Sequence, residues 1–306
     1  MIRFVNNENI DRNLWDKTIM QSSMPMIYAM SWYLDIVAPE WHGFIQDDYK
    51  TVMPIVSSRK FGLTYLYQPP FCQQHGVFGN NVSADLVKEF IIAIKSKFRF
   101  AEIMLNEINE LQVDGIKQNV NITLALSKNI EEIRKAYNDN TKRNIKKAEQ
   151  SGLTVHKGFA IENLISLFKA NKGKTIEKSD KWYKILKTLA YQLHYKGYAN
   201  TYNVINQKNE IIAGILLIEF NKRAILLFSG AGNEARETGA MHFLIDSILS
   251  GISNTNDIFD FEGSNNSNLA KFYMGFGGKI STYPFVRINQ LPICYRFIKK
   301  KGISIT

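Results

Sequence analysis

The chain has 306 residues, of which 45% are hydrophobic and 22% are charged, a composition typical of soluble globular proteins and long enough for two domains. It carries 38 Lys and Arg against 28 Asp and Glu, and the formal net charge of +10 favours anionic partners such as phosphorylated cofactors, RNA or an acidic membrane surface. Only two cysteines occur, Cys72 and Cys294, which excludes a disulfide framework and a cysteine-rich zinc site. We therefore expect no metal.

The N-terminus, MIRFVNNENIDRNLW, contains no apolar signal-peptide core. The longest apolar runs, such as AGILLIEF at 213–220, have the length of a strand rather than that of a membrane span. We therefore expect a cytoplasmic protein with no transmembrane segment.

The first half of the chain predicts a strand, two helices, a group of strands and one long helix. Strands are predicted at 2–5, in two pieces within 41–58, and at 63–70, 100–108 and 120–126, and helices at 9–22 and 26–37. The long helix follows Ser83, a capping residue, and its apolar residues fall on one face at Leu86, Val87, Phe90, Ile91 and Ile94.

A strongly basic segment, NDNTKRNIKKAEQSGLTV, occupies 138–155 and predicts a helix at 141–150. Four of its side chains are cationic within six residues: Lys142, Arg143, Lys146 and Lys147. Two interpretations are open. The cations form a solvated helix face, or they contact an anionic, phosphorylated ligand.

The second half repeats the order of the first. Helices are predicted at 161–170 and 182–196, strands at 202–207, 210–220 and 223–231, a helix from about 238, a strand at 258–264, a short helix at 268–275 and final strands within 278–289. Each half thus has two helices, three strands, a helix and a strand. We interpret the chain as a tandem repeat of one mixed α/β unit, with domains at 1–127 and 128–306.

The loop SGAGNEARETGAMHF (229–243) joins the third of these strands to the long helix. Glycines there let the main chain approach a ligand, and a helix N-terminus presents free N–H groups to phosphate. Arg236-x-x-Gly239 resembles the start of the pyrophosphate loop of the GNAT acyltransferases, Q/R-x-x-G-x-G/A, although Met241 stands at its last position. The resemblance implies that acyl-CoA is held by Arg236, Glu237, Thr238, Gly239 and Ala240. The corresponding loop at 68–81 has no such pattern, so we expect the first domain to have a degenerate cofactor loop.

The segment FDFEGSNNSNLAKFYMGFGG (259–278) resembles the strand, helix and turn that end the GNAT core. Tyr273 precedes Gly277 by four residues, as the general-acid tyrosine of that family does, and the resemblance assigns it that role. The same segment, together with the basic helix, is similar to the Fem-type aminoacyltransferases, which attach amino acids from aminoacyl-tRNA to peptidoglycan precursors. Those proteins consist of two GNAT-like domains, and several carry Lys where Tyr273 stands.

Two further side chains are candidates for acid–base chemistry. Asp260 and Glu262 alternate with phenylalanines, so both carboxylates are expected on one face of a strand. Glu262, beside Gly263, is the better candidate for a general base, because burial at a strand end can raise the pKa of a carboxyl group; pairing with a neighbouring cation is its structural alternative. His242 lies in the first turn of a predicted helix, where packing is the expected role.

Three functions follow from these observations. The first is transfer of an acyl group from acyl-CoA to an amine acceptor. The second is Fem-like aminoacyl transfer, with aminoacyl-tRNA as donor, tRNA as a partner and a small molecule or cell-wall precursor as the amine substrate. The third is a non-catalytic binding module that keeps the same fold.

Overall fold

A computed structural model of the chain describes residues 1–111, 116–127, 129–171, 176–263 and 266–292. By its internal packing the chain forms two compact units. The first comprises Met1–Asn119 and the segment that begins at Thr282, and the second comprises Val120–Ser281. The predicted division after residue 127 thus differs from the observed one after Asn119, and most of the final described strand, from Thr282 onward, belongs to the first unit. Sequence order alone does not show this, because the pattern of a strand does not indicate which sheet it joins.

The first unit is a mixed α/β unit with two sheets. Its elements are β1 (Ile2–Val5), α1 (Arg12–Met20), α2 (Ser31–Val37), β2 (His42–Gln46), β3 (Thr51–Ile55), β4 (Ser57–Lys60), β5 (Leu63–Leu66), β6 (Phe78–Gly79), α3 (Ala84–Lys97) and β7 (Phe100–Met104). Two strands, β8 (Lys117–Ala125) and β14 (Lys279–Asn289), cross the boundary between the units. Within the first unit the strand orders are β1-β2-β3-β6 and β4-β5-β7-β14.

Helix α3 forms where its capping residue and apolar spacing predict it. The Ser83 side chain accepts a hydrogen bond from the N–H of Leu86 at 3.2 Å, which satisfies one of the free donors of the first turn. The helix buries four apolar side chains against the sheet: Val87, Phe90, Ile91 and Ile94. This face holds the core of the first unit together.

The second unit contains one sheet covered by helices. After β8 its elements are α4 (Ile130–Lys135), α5 (Asp139–Gln150), β9 (Thr154–Gly158), α6 (Ile161–Ala170), α7 (Asp180–Tyr195), β10 (Ala199–Ile205), β11 (Ile211–Phe220), β12 (Arg223–Ala231), α8 (Asn233–Thr238), α9 (Ala240–Ile252), β13 (Ile258–Asp260) and α10 (Ser267–Met274). The strand order is β8-β13-β12-β11-β10-β9, and β12 and β13 are parallel while their other pairings are antiparallel. The predicted mixed α/β class is confirmed.

Three details of the second unit differ from the sequence-based expectation. Helix α8 occupies part of the loop predicted at 229–243, and α9 begins at Ala240 rather than near 238. The strand predicted at 258–264 ends at Asp260, because it pairs with its neighbours over only three residues. The basic helix is α5, and the side chain of Asn138 caps it by accepting from the N–H of Thr141 at 2.8 Å.

Helix α9 packs an apolar face against β10 and β11. Its inward side chains, Leu244, Ile245, Ile248 and Leu249, are fully buried. Their spacing of three and four residues places them on one helical face, as the sequence predicts. In the described part of the chain, no helix is both long and apolar enough to cross a bilayer.

Candidate functional site

A cavity of about 340 Å³ lies in the second unit between β12 and the helices α9 and α10. Its wall is mainly apolar and includes Phe168, Leu226, Leu269 and Phe272. Polar groups enter it from Arg236, His242 and Tyr273. An apolar pocket with a few convergent polar groups is the usual form of a small-molecule site.

The cavity lies beside a stretch of β12 that has a neighbouring strand on one edge only. Strand β13 pairs with β12 only over Arg223–Ile225, whereas β12 continues to Ala231. From Leu226 onward, no described strand pairs with this edge of β12, and the cavity is lined there by Leu226, Ser229, Gly230 and Ala231. The open edge therefore borders the cavity with main-chain groups that a ligand can reach.

The N-terminus of α9 forms another wall of the cavity. Gly239 precedes the helix with φ +76°, a left-handed conformation that favours glycine. The first N–H groups of a helix have no partner within it, and in α9 these belong to Ala240 and Met241, because the N–H of His242 donates to the carbonyl of Gly239 at 3.0 Å. Met241 lines the cavity, whereas Ala240 is fully buried and is not among the lining residues, so the wall offers the main-chain donor of Met241 and the positive end of a helix dipole.

This arrangement changes which atoms of the predicted loop are available. The N–H groups of Arg236, Glu237 and Thr238 occupy hydrogen-bonding positions of α8, and the N–H of Gly239 donates to the carbonyl of Ala235. Of the five residues predicted to hold a cofactor by their main chain, only Ala240 keeps a free N–H. Arg236 instead lines the cavity and presents an exposed guanidinium.

The basic helix α5 packs beside the cavity. The main-chain oxygen of Asn144 lies against Gly239 at the start of α9, and the N–H of Asn138 donates to the carbonyl of Gly275 at the end of α10 at 3.0 Å. The four cations of α5, Lys142, Arg143, Lys146 and Lys147, are exposed, and none forms an ion pair with an acid in the described ranges. A cationic surface therefore adjoins the two helices that form the cavity.

Tyr273 is buried, with 6% of its surface exposed, and lines the cavity. Its ring stacks on Phe261 with centroids 4.6 Å apart, and its hydroxyl has no hydrogen-bond partner within the described residues. Burial, followed by the negative charge of Glu262, raises the pKa of Tyr273, so the hydroxyl keeps its proton at neutral pH. Tyr273 thus presents a protonated hydroxyl at the cavity wall.

Asp260 and Glu262 do not share a strand face. Asp260 is fully buried, and its Oδ2 accepts from Nε of Arg223 at 2.8 Å and forms an ion pair with Nη2 at 2.7 Å. Glu262 follows the end of β13, is half-buried, and adopts a left-handed φ of 49°. The alternation expected of a strand is lost there, and Glu262 is not among the residues that line the cavity.

His242 lines the cavity, although the sequence indicated only a packing role. Its ring meets that of Phe272 edge-on with centroids 4.8 Å apart, and burial lowers its pKa to about 4. The imidazole is therefore neutral at physiological pH. The sequence around His242 does not show that this side chain lines a cavity, because the cavity forms only when α10 packs beside α9.

The corresponding loop of the first unit, at 68–81, packs closely against Asn109. The amide of Asn109 accepts from the N–H of Val77 at 2.7 Å and donates to its carbonyl at 3.0 Å. A Cβ on Gly76 would stand 2.2 Å from the amide oxygen of Asn109. His75 is buried in the same loop.

In the described residues of either unit, no group of three or more His, Cys, Asp and Glu side chains is arranged to hold a metal ion.

Comparison with known proteins reveals the fold. No protein-family model and no curated protein sequence matches the chain. Among solved structures, FemX is similar over 95% of this chain and 99% of its own, with a TM-score of 0.68 and 12% sequence identity. A tandem GNAT protein from the clavulanic acid biosynthesis pathway is similar over 95% of this chain and 99% of its own, with a TM-score of 0.54 and 9% identity. L-PGS from Bacillus licheniformis is similar over 84% of this chain and 87% of its own, with a TM-score of 0.53 and 11% identity. The chain therefore has the tandem GNAT-like fold of the Fem type that the motifs at 138–155 and 229–278 resemble.

Proposed function

We propose that the protein is an N-acyltransferase that moves an acyl group from acyl-CoA to an amine acceptor in the cavity of the second unit. The observation that carries this proposal is that the open edge of β12, the N-terminus of α9 and the hydroxyl of Tyr273 all meet in one cavity. A donor with an extended amide chain, a diphosphate and a thioester matches these three features in turn.

The open edge of β12 is suited to the amide-bearing arm of the donor. From Leu226 to Ala231 its main-chain groups can pair with an extended chain, as an added strand pairs with the edge of a sheet. The apolar wall from Phe168 and Leu269 then covers the arm. The thioester is thereby carried toward Tyr273.

The N-terminus of α9 is suited to the diphosphate. The free N–H group of Met241, the helix dipole and the guanidinium of Arg236 all favour negative charge at that wall. The pyrophosphate contact predicted at Arg236–Ala240 is therefore proposed at the N–H of Met241 and at the side chain of Arg236. Thr238 and Glu237 support α8 rather than the ligand; the Thr238 hydroxyl donates to the carbonyl of Glu234 at 2.8 Å.

The chemistry needs a donor of one proton to the departing thiolate. Tyr273 supplies it, because its hydroxyl is protonated, unpartnered within the described residues and inside the cavity. Burial, followed by the negative charge of Glu262, raises the pKa of Tyr273 and so keeps its hydroxyl protonated until the thiolate forms. The thioester is already activated, so positioning supplies much of the remaining acceleration.

Aminoacyl-tRNA is the second candidate donor, and the exposed cations of α5 favour it. Four positive side chains adjoin the cavity helices on a chain of net charge +10, which suits a polyanionic donor and a cell-wall precursor as the amine acceptor. The same cations can bind the phosphates of CoA. The two donors therefore have to be separated by experiment.

Thermal denaturation of the full chain with acetyl-CoA, longer acyl-CoAs and bulk tRNA tests binding. A ligand at about 100 times its Kd stabilises the native state by about 2.7 kcal/mol, which raises the melting temperature measurably. Release of free thiol or of uncharged tRNA in the presence of a panel of primary amines then tests turnover. Binding without turnover of either donor would support the non-catalytic module instead.

Replacement of the four α5 cations by Gln separates the donors. For tRNA we expect a large loss of affinity and a shallower dependence of log K on log salt, by about 0.7–0.9 per lost phosphate contact. The matched control replaces four other exposed lysines of the second unit, Lys181, Lys184, Lys196 and Lys208, with the same change in charge. Equal losses in both variants would show that the α5 cations act only through net charge.

A further inference from the structure

We propose that His242 is the general base of this reaction, taking a proton from the attacking amine in the same cavity in which Tyr273 protonates the leaving group. The inference rests on the proposed function and assigns a step that the sequence analysis gave to Glu262. It follows from where the two side chains lie.

His242 and Tyr273 reach the cavity from two helices and flank one aromatic ring. The imidazole meets Phe272 with centroids 4.8 Å apart, and Phe272 meets Tyr273 with centroids 5.5 Å apart. Neither polar side chain has a hydrogen-bond partner within the described part of the chain. Tyr273 is buried and His242 is half-buried, and both line the cavity, so both groups are available to a ligand there.

The protonation states suit the two roles. Burial lowers the pKa of His242 to about 4 and raises that of Tyr273, so at neutral pH one group lacks a proton and the other holds one. Environments that push two pKa values apart in this way mark the base and the acid of a site. Glu262, the other candidate, lies outside the cavity lining.

The charged and titratable groups around His242 come from three elements. Arg236 on α8 and Tyr273 on α10 share the cavity, and α5, packed against α9, carries the exposed cations Lys142, Arg143, Lys146 and Lys147. Burial is nevertheless the sole cause of the low pKa. A ligand phosphate at the N-terminus of α9 adds negative charge, which favours the imidazolium formed during the reaction.

The proton transfers balance within the cavity. The amine nitrogen attacks the acyl carbon, and its N–H proton passes to the imidazole as the C–N bond forms. The C–S bond of the thioester breaks, its electron pair remains on sulfur, and the sulfur takes the proton of Tyr273. The imidazolium then returns a proton to the phenolate through solvent, so the reaction yields an amide and a free thiol. With aminoacyl-tRNA the C–O bond breaks in the same way and the ribose hydroxyl leaves.

Single variants of the full chain test the assignment with whichever donor gives the highest turnover. We expect His242→Gln to lower kcat ~10²–10⁴-fold while donor-induced stabilisation is kept, and His242→Ala to regain activity on addition of imidazole. The matched control is His156→Gln, an exposed histidine of β9 outside the cavity. Melting temperatures show whether each variant is folded.

Chemical modification gives a readout independent of folding changes in the variants. We expect diethyl pyrocarbonate to modify His242 of the parent at neutral pH, and a bound donor to protect it. His75, which is also neutral but fully buried, is the internal control and stays unmodified in the native state.

The possible outcomes distinguish an error in this assignment from an error in the proposed function. A parent that turns over while His242→Gln stays within about threefold of it, or in which His242 is modified as slowly as His75, would overturn the assignment of the base alone. A parent that turns over neither donor would overturn the proposed function and this inference together.

Discussion

The main-chain oxygen of Asn144 lies 2.5 Å from the point where a Cβ on Gly239 would stand. Gly239 also has φ +76°, so two independent constraints require glycine there. Since the neighbour is the main chain of α5 and not a ligand, a side chain at this position displaces the basic helix. Loss of ligand binding in a Gly239 variant would therefore not by itself locate the ligand.

Gly239→Ala is expected to cost more stability than the same change at Gly197. Gly197 follows α7 with the same φ of +76° and has no atom within 4 Å of its added Cβ, so it reports only the conformational cost of about 1–2 kcal/mol. Overpacking against α5 should add about 1–3 kcal/mol at Gly239. Urea denaturation of both variants measures the difference, and equal losses would contradict the close packing of α5 on α9.

Tyr273→Phe is expected to lower kcat ~10²–10⁴-fold with little change in donor affinity, because the general acid is removed while the stacked ring is kept. Its stability should hardly change, since the hydroxyl has no partner to lose among the described residues. Tyr202→Phe, in a buried tyrosine outside the cavity lining, is the control. A variant that turns over within about threefold of the parent would remove Tyr273 from the mechanism.

The Arg134–Asp246 pair should dominate the attachment of α4 to α9. Asp246 is buried; it accepts from Nε and Nη2 of Arg134 at 2.9 and 2.7 Å and from the hydroxyl of Tyr137 at 3.0 Å. Arg134→Met leaves a buried carboxylate with one partner fewer and should cost about 3 kcal/mol of unfolding free energy. Glu131→Gln breaks the exposed pair of the same arginine and should cost under about 1 kcal/mol.

A double variant checks that this cost comes from the stranded charge. Arg134→Met combined with Asp246→Leu should recover part of the stability lost in Arg134→Met alone, because no buried charge is left unpaired. Additive losses in the double variant would instead assign the cost to packing.

Stability should fall with acid because of His75. Burial lowers the pKa of His75 to about 4, against 6.5 in the unfolded chain. Below pH 6.5 the unfolded chain therefore binds a proton that the folded chain does not, and stability falls until about pH 4. The loss reaches about 3 kcal/mol if the whole shift is expressed. Unfolding free energies between pH 7 and pH 4 should decline less steeply in His75→Gln, and parallel curves would refute the low pKa.

Local patterns predicted most elements but not the atoms of the site. The spacing of Leu244, Ile245, Ile248 and Leu249 was sufficient to predict α9, because a helix buries one face. The end of β13 at Asp260 depends on pairing with β8 and β12, which are distant in sequence. This is why Glu262 was expected on a strand face and was found in a left-handed turn.

The same limit explains why His242 was assigned to packing. Its position in the first turn of α9 was predicted, but its access to a cavity depends on Phe272 and Tyr273 of α10, which approach it only in the folded unit. The glycine motif around Gly239 lies in one wall of the cavity. It did not predict α8, whose hydrogen bonds occupy the N–H groups of Arg236 to Thr238.

The late position of β14 in the chain has a consequence for biosynthesis. Strand β7 pairs with β14 from Phe100↔Asn289 to Met104↔Phe285, so the first unit lacks a strand of its sheet until the ribosome has made the whole second unit. The second unit, continuous from Val120 to Ser281, can fold as soon as it emerges. We therefore expect nascent chains arrested when Ser281 has left the exit tunnel, but β14 has not, to be protease-resistant in the second unit while the first stays sensitive. If the first unit became protease-resistant before the second, it would reach a stable state without its final strand.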